Sequence, residues 1–137
     1  MPYFKDAEDL YDLLGGLFRQ GREHPDLAPK VAASKILIQF QYQEPEAVIT
    51  INAKNPQEPP PYDVILGPTD IKPDVVMTMK ADVAHEFWLG KVNLLTALAR
   101  RQIVAQGPVS VAIKLVPVLG PAFTLYRQYL EQKGRQP

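Results

Sequence analysis

Val75-Val76-Met77-Thr78-Met79-Lys80 opens a stretch that continues through Ala81-Asp82-Val83-Ala84-His85-Glu86-Phe87-Trp88-Leu89 and Gly90-Lys91-Val92-Asn93. Valines and methionines alternate in the first six residues as in a strand, and the next nine carry a short helix signal. An apolar helix from Leu94 to Arg101 comes after the glycine turn, then a short edge strand over Gln102–Gln106 and a turn at Gly107-Pro108. Pro108 suits the first position of the next helix. The stretch closes on Val109-Ser110-Val111-Ala112-Ile113-Lys114-Leu115-Val116-Pro117-Val118-Leu119. Its polar residues are few and scattered and its apolar ones large. Such a composition encloses hydrocarbon more readily than it performs acid–base chemistry.

Working back toward the N-terminus, Leu10, Leu13, Leu14, Leu17 and Phe18 recur at helical spacing and predict an amphipathic helix over Asp6–Arg19. Asp6 is its expected N-cap, and Gly21 its expected stop. Gly15 and Gly16 inside it each cost about 1 kcal/mol against alanine, which points to close packing against another backbone. His24-Pro25 breaks the chain, and Asp26–Ser34 is expected to form a turn or two of helix. The period then changes. Ile36, Ile38, Phe40 and Tyr42 alternate with Leu37, Gln39 and Gln41, and Ala47, Ile49, Ile51 and Ala53 with Val48, Thr50 and Asn52. Two half-buried strands over Lys35–Tyr42 and Ala47–Ala53, joined at Glu44-Pro45-Glu46, make an antiparallel hairpin with the isoleucines under the helices. A third strand is expected over Tyr62–Leu66.

Toward the C-terminus, Pro117 should end or kink one helix and Pro121 start another, with Ala122, Phe123, Tyr126 and Leu130 on one face. Pro117 and Gly120-Pro121 lie close together, so Ala122–Lys133 reads as a helix on a short hinge, able to act as the movable wall of an enclosed site.

A chain of 137 residues is a single domain, expected to span 1–137, long enough to bury about two-thirds of its unfolded surface. Lysine plus arginine and aspartate plus glutamate both number 15, and a zero net charge argues against nucleic-acid binding. No cysteine is present, which removes disulfides, thiolate zinc sites and thiol catalysis. No stretch reads as a signal peptide or membrane span, so a cytoplasmic location is the expectation.

Motifs with chemistry are few. His85-Glu86-Phe87-Trp88-Leu89 starts like a zincin helix, but Leu89 stands where the second histidine belongs. Ser34 and Ser110, the only serines, occupy no nucleophile elbow. No carboxylate pair stands out as acid and base. No catalytic residue, metal site or cofactor is therefore expected. Pro59-Pro60-Pro61-Tyr62 matches the Pro-Pro-x-Tyr pattern that WW modules bind, and reads equally as a stiff loop entering a strand. The large apolar residues of the second half could fill a core or line a ligand cavity.

The order of Thr78-Met79-Lys80-Ala81-Asp82, Gly90-Lys91-Val92-Asn93, Ile103-Val104-Ala105-Gln106-Gly107 and Ala112-Ile113-Lys114-Leu115 resembles the sterol-carrier-protein-2-like family over nearly the whole chain. It departs at Ala99-Arg100-Arg101-Gln102, where the family often has Gly-Lys before the last strand. The resemblance implies an α+β fold: a five-stranded mixed sheet in the order 3-2-1-4-5, covered on one face by helices. It also implies an apolar tunnel between the sheet and the C-terminal helices. Carried over, that tunnel would be lined from Phe87, Trp88, Leu94, Leu95, Leu98, Val111, Leu115, Val118 and Phe123. The implied function is a non-enzymatic carrier for a lipid, sterol, fatty acid or fatty acyl-CoA. The alternatives are an accessory module presenting an apolar intermediate to a partner enzyme, and a dimerising domain with a filled core. At most a transient membrane contact is expected. Lys91, Arg100 and Arg101 are the candidates for a phosphate or carboxylate headgroup, unless they are plain surface charges.

Overall fold

The computed structural model describes residues 2–57 and 61–137. The N-terminal helix starts where the acidic cap predicts. The Asp6 carboxylate accepts the Asp9 N–H at 2.9 Å, and α1 spans Ala7–Leu10. The helix then widens into a π-helical turn over Tyr11–Gly15 before resuming as α2, Gly16–Gly21. Leu10, Leu13, Leu14, Leu17 and Phe18 are all buried, as their spacing requires. The two glycines are explained by side chains and not by a second backbone. A Cβ on Gly15 would stand 2.8 Å from the Leu66 side chain, and one on Gly16 would stand 2.5 Å from the Tyr129 ring.

After α3, Ala28–Ser34, the chain enters β1, Leu37–Gln43, and returns as β2, Ala47–Asn52. The two strands pair antiparallel with Ile38 opposite Ile51 and Phe40 opposite Ile49. The isoleucines at 36, 38, 49 and 51 are buried, as their alternation predicts. β3, Asp63–Leu66, adds antiparallel to β2, and β4, Val75–Lys80, adds parallel to β1. A parallel neighbour needs a long crossover, and the β2–β3 arm supplies it. β5, Ile103–Gln106, closes the sheet antiparallel to β4, giving the order β3-β2-β1-β4-β5. Side chains alternate across such a sheet. One face turns Ile38, Phe40, Tyr42, Met77, Met79 and Ile103 toward the helices. The other carries Gln39, Gln41 and Thr50, tied by hydrogen bonds of 3.1 and 2.8 Å.

The helices of the second half are α4, Ala81–Trp88; α5, Leu94–Ala99; α6, Ser110–Leu115; and α7, Gly120–Gln132. Asn93 caps α5 by accepting the Thr96 N–H at 3.0 Å. The turn after α5 closes without glycine. Arg101 takes the left-handed conformation at φ +59°, and the Gln102 N–H returns to the Ala97 carbonyl at 2.9 Å. Glycine is indispensable at the far end of β5. Gly107 has φ +90°, and a Cβ there would sit 2.1 Å from the Asp74 carbonyl oxygen. Pro108 lies outside the next helix, whose N-cap is Val109. Pro117 ends α6 in a 3-10 turn over Val116–Val118, and Pro121 sits in the first turn of α7.

The Pro-Pro-x-Tyr match falls in part outside the described residues, but Tyr62 itself is buried. Its phenol donates to the Phe18 carbonyl at 2.6 Å. A tyrosine committed to the core is not offered to an aromatic groove, so the loop-entering-strand reading holds.

Candidate functional site

Between the sheet and the helices lies a cavity of about 130 Å³. Its floor is the inward row of the sheet, including Ile38, Phe40, Tyr42, Ile51, Met77 and Met79. Leu17, Phe18, Leu27 and Val31 wall it from the N-terminal helices, and Ala84, Phe87 and Trp88 from α4. Leu115, Val116 and Leu119 close it at the corner where α6 gives way to α7. Among the described residues no charged side chain lines it.

Of the residues that the resemblance carries over, Phe87, Trp88, Leu94 and Leu115 line this cavity. Leu98, Val111 and Phe123 pack against the core beside it, with Phe123 against the rings of Phe87 and Trp88 at 5.9 and 6.2 Å. Val118 is half-buried in the 3-10 turn, outside the lining. Leu95 stands 58% exposed. The cause is helical geometry: successive residues are about 100° apart, so with Leu94 and Ala97 turned inward Leu95 points out. The lining that the carry-over lacks comes mostly from the strands and from α2 and α3. Its signal was the period-two alternation itself, which looks the same for a cavity floor and a filled core.

The α6 corner is the thinnest part of the wall. Between Val111 and Leu125 only Ala112 and Ala122 are buried, while Val111, Ile113, Leu115, Val116, Val118, Leu119, Phe123 and Leu125 are half-buried. The far half of α7 is different. Tyr126 and Leu130 are fully buried, and the end of the helix is pinned. Arg135 donates to Asp9 at 2.7 Å and to the Tyr3 carbonyl at 3.2 Å, with its guanidinium 4.9 Å from the Tyr3 ring centre. The expected hinged C-terminal helix and its alternative, a helix that is permanent core, both turn Tyr126 and Leu130 inward; the least buried part of this wall is the α6–3-10 corner.

His85 belongs to this packing and not to a metal site. It is buried, its Nδ1 lies 2.7 Å from the Tyr126 hydroxyl, and Tyr3 stacks on its ring at 3.6 Å. Burial is the main cause that brings its pKa down to about 4. The Asp82 carboxylate opposes the shift, and Lys91 and Arg135 add to it. The neutral imidazole is thus the resident form. Among the described residues no cluster of histidine and carboxylates is placed to hold a metal ion.

The surroundings are lopsided in charge. From residue 87 to residue 130 the sequence contains Lys91, Arg100, Arg101, Lys114 and Arg127 and not one aspartate or glutamate. All five are exposed. Arg127 donates to the Leu89 carbonyl at 2.8 Å, at the end of α4 and beside the turn that carries Lys91. Arg100 and Arg101 sit at the opposite end of α5 from the Lys91 turn, so the three headgroup candidates do not form one cluster.

Among the described residues no helix is long and apolar enough to cross a membrane. No curated protein matches the sequence. Among solved structures, sterol carrier protein 2 from Yarrowia lipolytica in its apo form superposes with a TM-score of 0.62 at 20% identity, covering 80% of this chain and 88% of that one. The sterol carrier protein domain 2 of Helicoverpa armigera gives 0.62 at 21% identity over 93% and 91%. A UbiJ-SCP2 ubiquinone synthesis protein gives 0.60 at 15% identity over 89% and 95%. At these identities the likeness is one of fold. The sequence itself matches the model of the SCP-2 sterol transfer family over residues 15–120, and by that match the chain belongs to this family.

Proposed function

We propose that the chain is a binding protein for an apolar molecule, which it holds in the cavity between sheet and helices and carries or presents. The ligand class is that of long-chain lipids: fatty acid, fatty acyl-CoA or sterol. The observation that supports this most is the uncharged, largely apolar lining that the described residues give the cavity. The driving force is burial, at about 0.8 kcal/mol for each methylene taken from water. Such a function needs no catalytic residue.

The cavity sets a condition on the mechanism. About 130 Å³ is close to a site that holds a single small ring, roughly 150 Å³, and a long chain needs several times more. Binding therefore requires the wall to move, and the half-buried α6–3-10 corner is the part that yields at least cost. A second reading, an accessory domain presenting an apolar intermediate to a partner enzyme, uses the same cavity. It draws support from the fold shared with a UbiJ-SCP2 ubiquinone synthesis protein.

Trp88, the only tryptophan, lines the cavity, so its fluorescence reports occupancy. A saturable response to a long-chain fatty acid or acyl-CoA at micromolar concentration is expected, together with lipid extractable from the purified protein. Ala84→Leu places an isobutyl group in the cavity and should abolish the response. A flat titration across lipid classes, with no lipid co-purifying, would leave a filled-core domain instead.

A further inference from the structure

One ring on the floor of the cavity is left partly open. Phe40 stands on β1, the middle strand of the sheet, and is half-buried. Its partners across the strands, Ile49 and Met77, are buried, and so are Ile38 and Tyr42 on either side of it in the same inward row. Phe40 lines the cavity, and with its sheet neighbours closed its open surface lies there. The Phe18 ring runs nearly parallel to it, at 15° and 5.7 Å between centroids. Phe87 and Trp88, set edge to face at 4.9 Å, and the thioethers of Met77 and Met79 continue the lining.

On the reading of the cavity as a ligand site, we propose that the site is shaped for a flat, unsaturated, uncharged ring seated on Phe40. The ligand is then a lipid with one such ring at its buried end. The volume favours a single ring. The cavity of about 130 Å³ is close to the roughly 150 Å³ of a site that holds one small apolar ring, so the ring enters space already present. A straight long chain or a fused four-ring body has to displace wall before it is enclosed.

The lining favours an unsaturated ring over a saturated one. Aromatic rings attract one another in offset and edge-to-face arrangements beyond what buried area supplies. Methionine sulfur adds favourable contacts with ring edges. A saturated ring or chain of equal size gains neither. Charge on the ring is disfavoured, because among the described residues no charged side chain lines the cavity. The Tyr62 hydroxyl, also in the wall, is committed to the Phe18 carbonyl. The hydrocarbon tail leaves by the α6 corner, where Leu115, Val116 and Leu119 are half-buried, so only the tail requires the wall to yield.

The test compares n-octylbenzene, n-octylcyclohexane and n-tetradecane, which have equal carbon number, on the full chain and its Phe40→Leu variant, read by Trp88 fluorescence. On the parent protein the arene should bind about three- to tenfold tighter than either saturated probe. Phe40→Leu should bring the arene down to the level of the saturated ring, whose own affinity changes little. In the parent protein, magnetisation transfer should run from the arene's ring protons to Phe40 and Met77 and from its tail to Leu115 and Leu119. This readout stands whether or not the variant folds. Equal binding of arene and saturated ring, tightest binding of tetradecane, a preference that survives Phe40→Leu, or ring protons found beside Leu115 and Leu119 would each overturn the assignment and leave the cavity reading intact. If none of the three probes binds the parent protein, the cavity reading itself falls and this inference with it.

Discussion

The Nδ1 of His85 on α4 and the hydroxyl of Tyr126 on α7 lie 2.7 Å apart inside the helix layer, with both side chains buried. The pair joins the helix that follows β4 to the last helix of the chain. Its strength depends on the imidazole being neutral. In the folded protein His85 titrates near 4, against 6.5 for the free side chain. Between these values the unfolded chain binds a proton that the folded one refuses, so stability falls as the pH drops from about 6.5 toward 4. Asp82, Asp9, Lys91, Arg135, Tyr3 and Tyr126 are the charged or titratable groups around it. The expected loss is about 2 kcal/mol, seen as a falling melting midpoint across that range. His85→Gln should lower the midpoint at pH 7 and flatten this part of the profile. An unchanged slope would assign the pH dependence to other groups.

Gly16→Ala tests the helix–helix contact beneath the same layer. On propensity alone, alanine inside a helix should stabilise by about 1 kcal/mol. Here the new methyl would stand 2.5 Å from the Tyr129 ring, and that ring's hydroxyl donates to Asp12 at 3.2 Å. Tyr129 must move and the bond to Asp12 must lengthen or break. A net loss of about 1–2 kcal/mol in chemical denaturation is expected. A gain in stability would mean that the ring gives way freely.

Much of this fold is legible in the sequence because each segment repeats its own period. Val75, Met77 and Met79 alternate cleanly, and β4 forms on those residues; Ile36–Tyr42 and Ala47–Ala53 do the same for the hairpin. Which strand lies beside which is not contained in a period, and the order rested on the resemblance. The cavity was half legible. Phe87, Trp88, Leu94 and Leu115 line it, while Tyr42, Met77 and Tyr62 look in sequence like ordinary inward strand residues. Leu95 was drawn in by its neighbour, since composition cannot say which of two adjacent leucines faces inward. The contact between Arg135 and Asp9 spans 126 residues, and no local pattern announces it.

That contact makes a third prediction. Burial works to raise the Asp9 carboxyl, but hydrogen bonds from Arg135 and from the Lys5 N–H outweigh it and hold the group below its ordinary pKa. A carboxylate so depressed contributes stability above the unfolded value of 3.8 and loses it as the pH falls further. Arg135→Met keeps much of the stem and removes the charge. It should cost about 1 kcal/mol at pH 7, with less difference from the parent below pH 3. A cost that persists undiminished at low pH would point to lost packing against Tyr3 as the cause.

The last prediction separates the two halves of the C-terminal wall. Tyr126 and Leu130 are fully buried, so removing the chain after Leu119 takes out core, and each side chain alone is worth about 2–5 kcal/mol. Truncation at that point should therefore unfold the domain, not leave a folded protein that leaks ligand. The corner before it is different, since α6 offers the core only Ala112 in full and half-buried side chains otherwise. Local opening follows such thin packing. Amides of Ser110–Leu115 should exchange hydrogen well before those of the buried half of α7, by about tenfold or more at neutral pH. A bound long-chain ligand should slow α6 selectively, because the ligand supplies the apolar contacts that the empty corner lacks. If α6 instead exchanges as slowly as α7, only global unfolding opens the wall, and ligand entry must be sought elsewhere on the cavity.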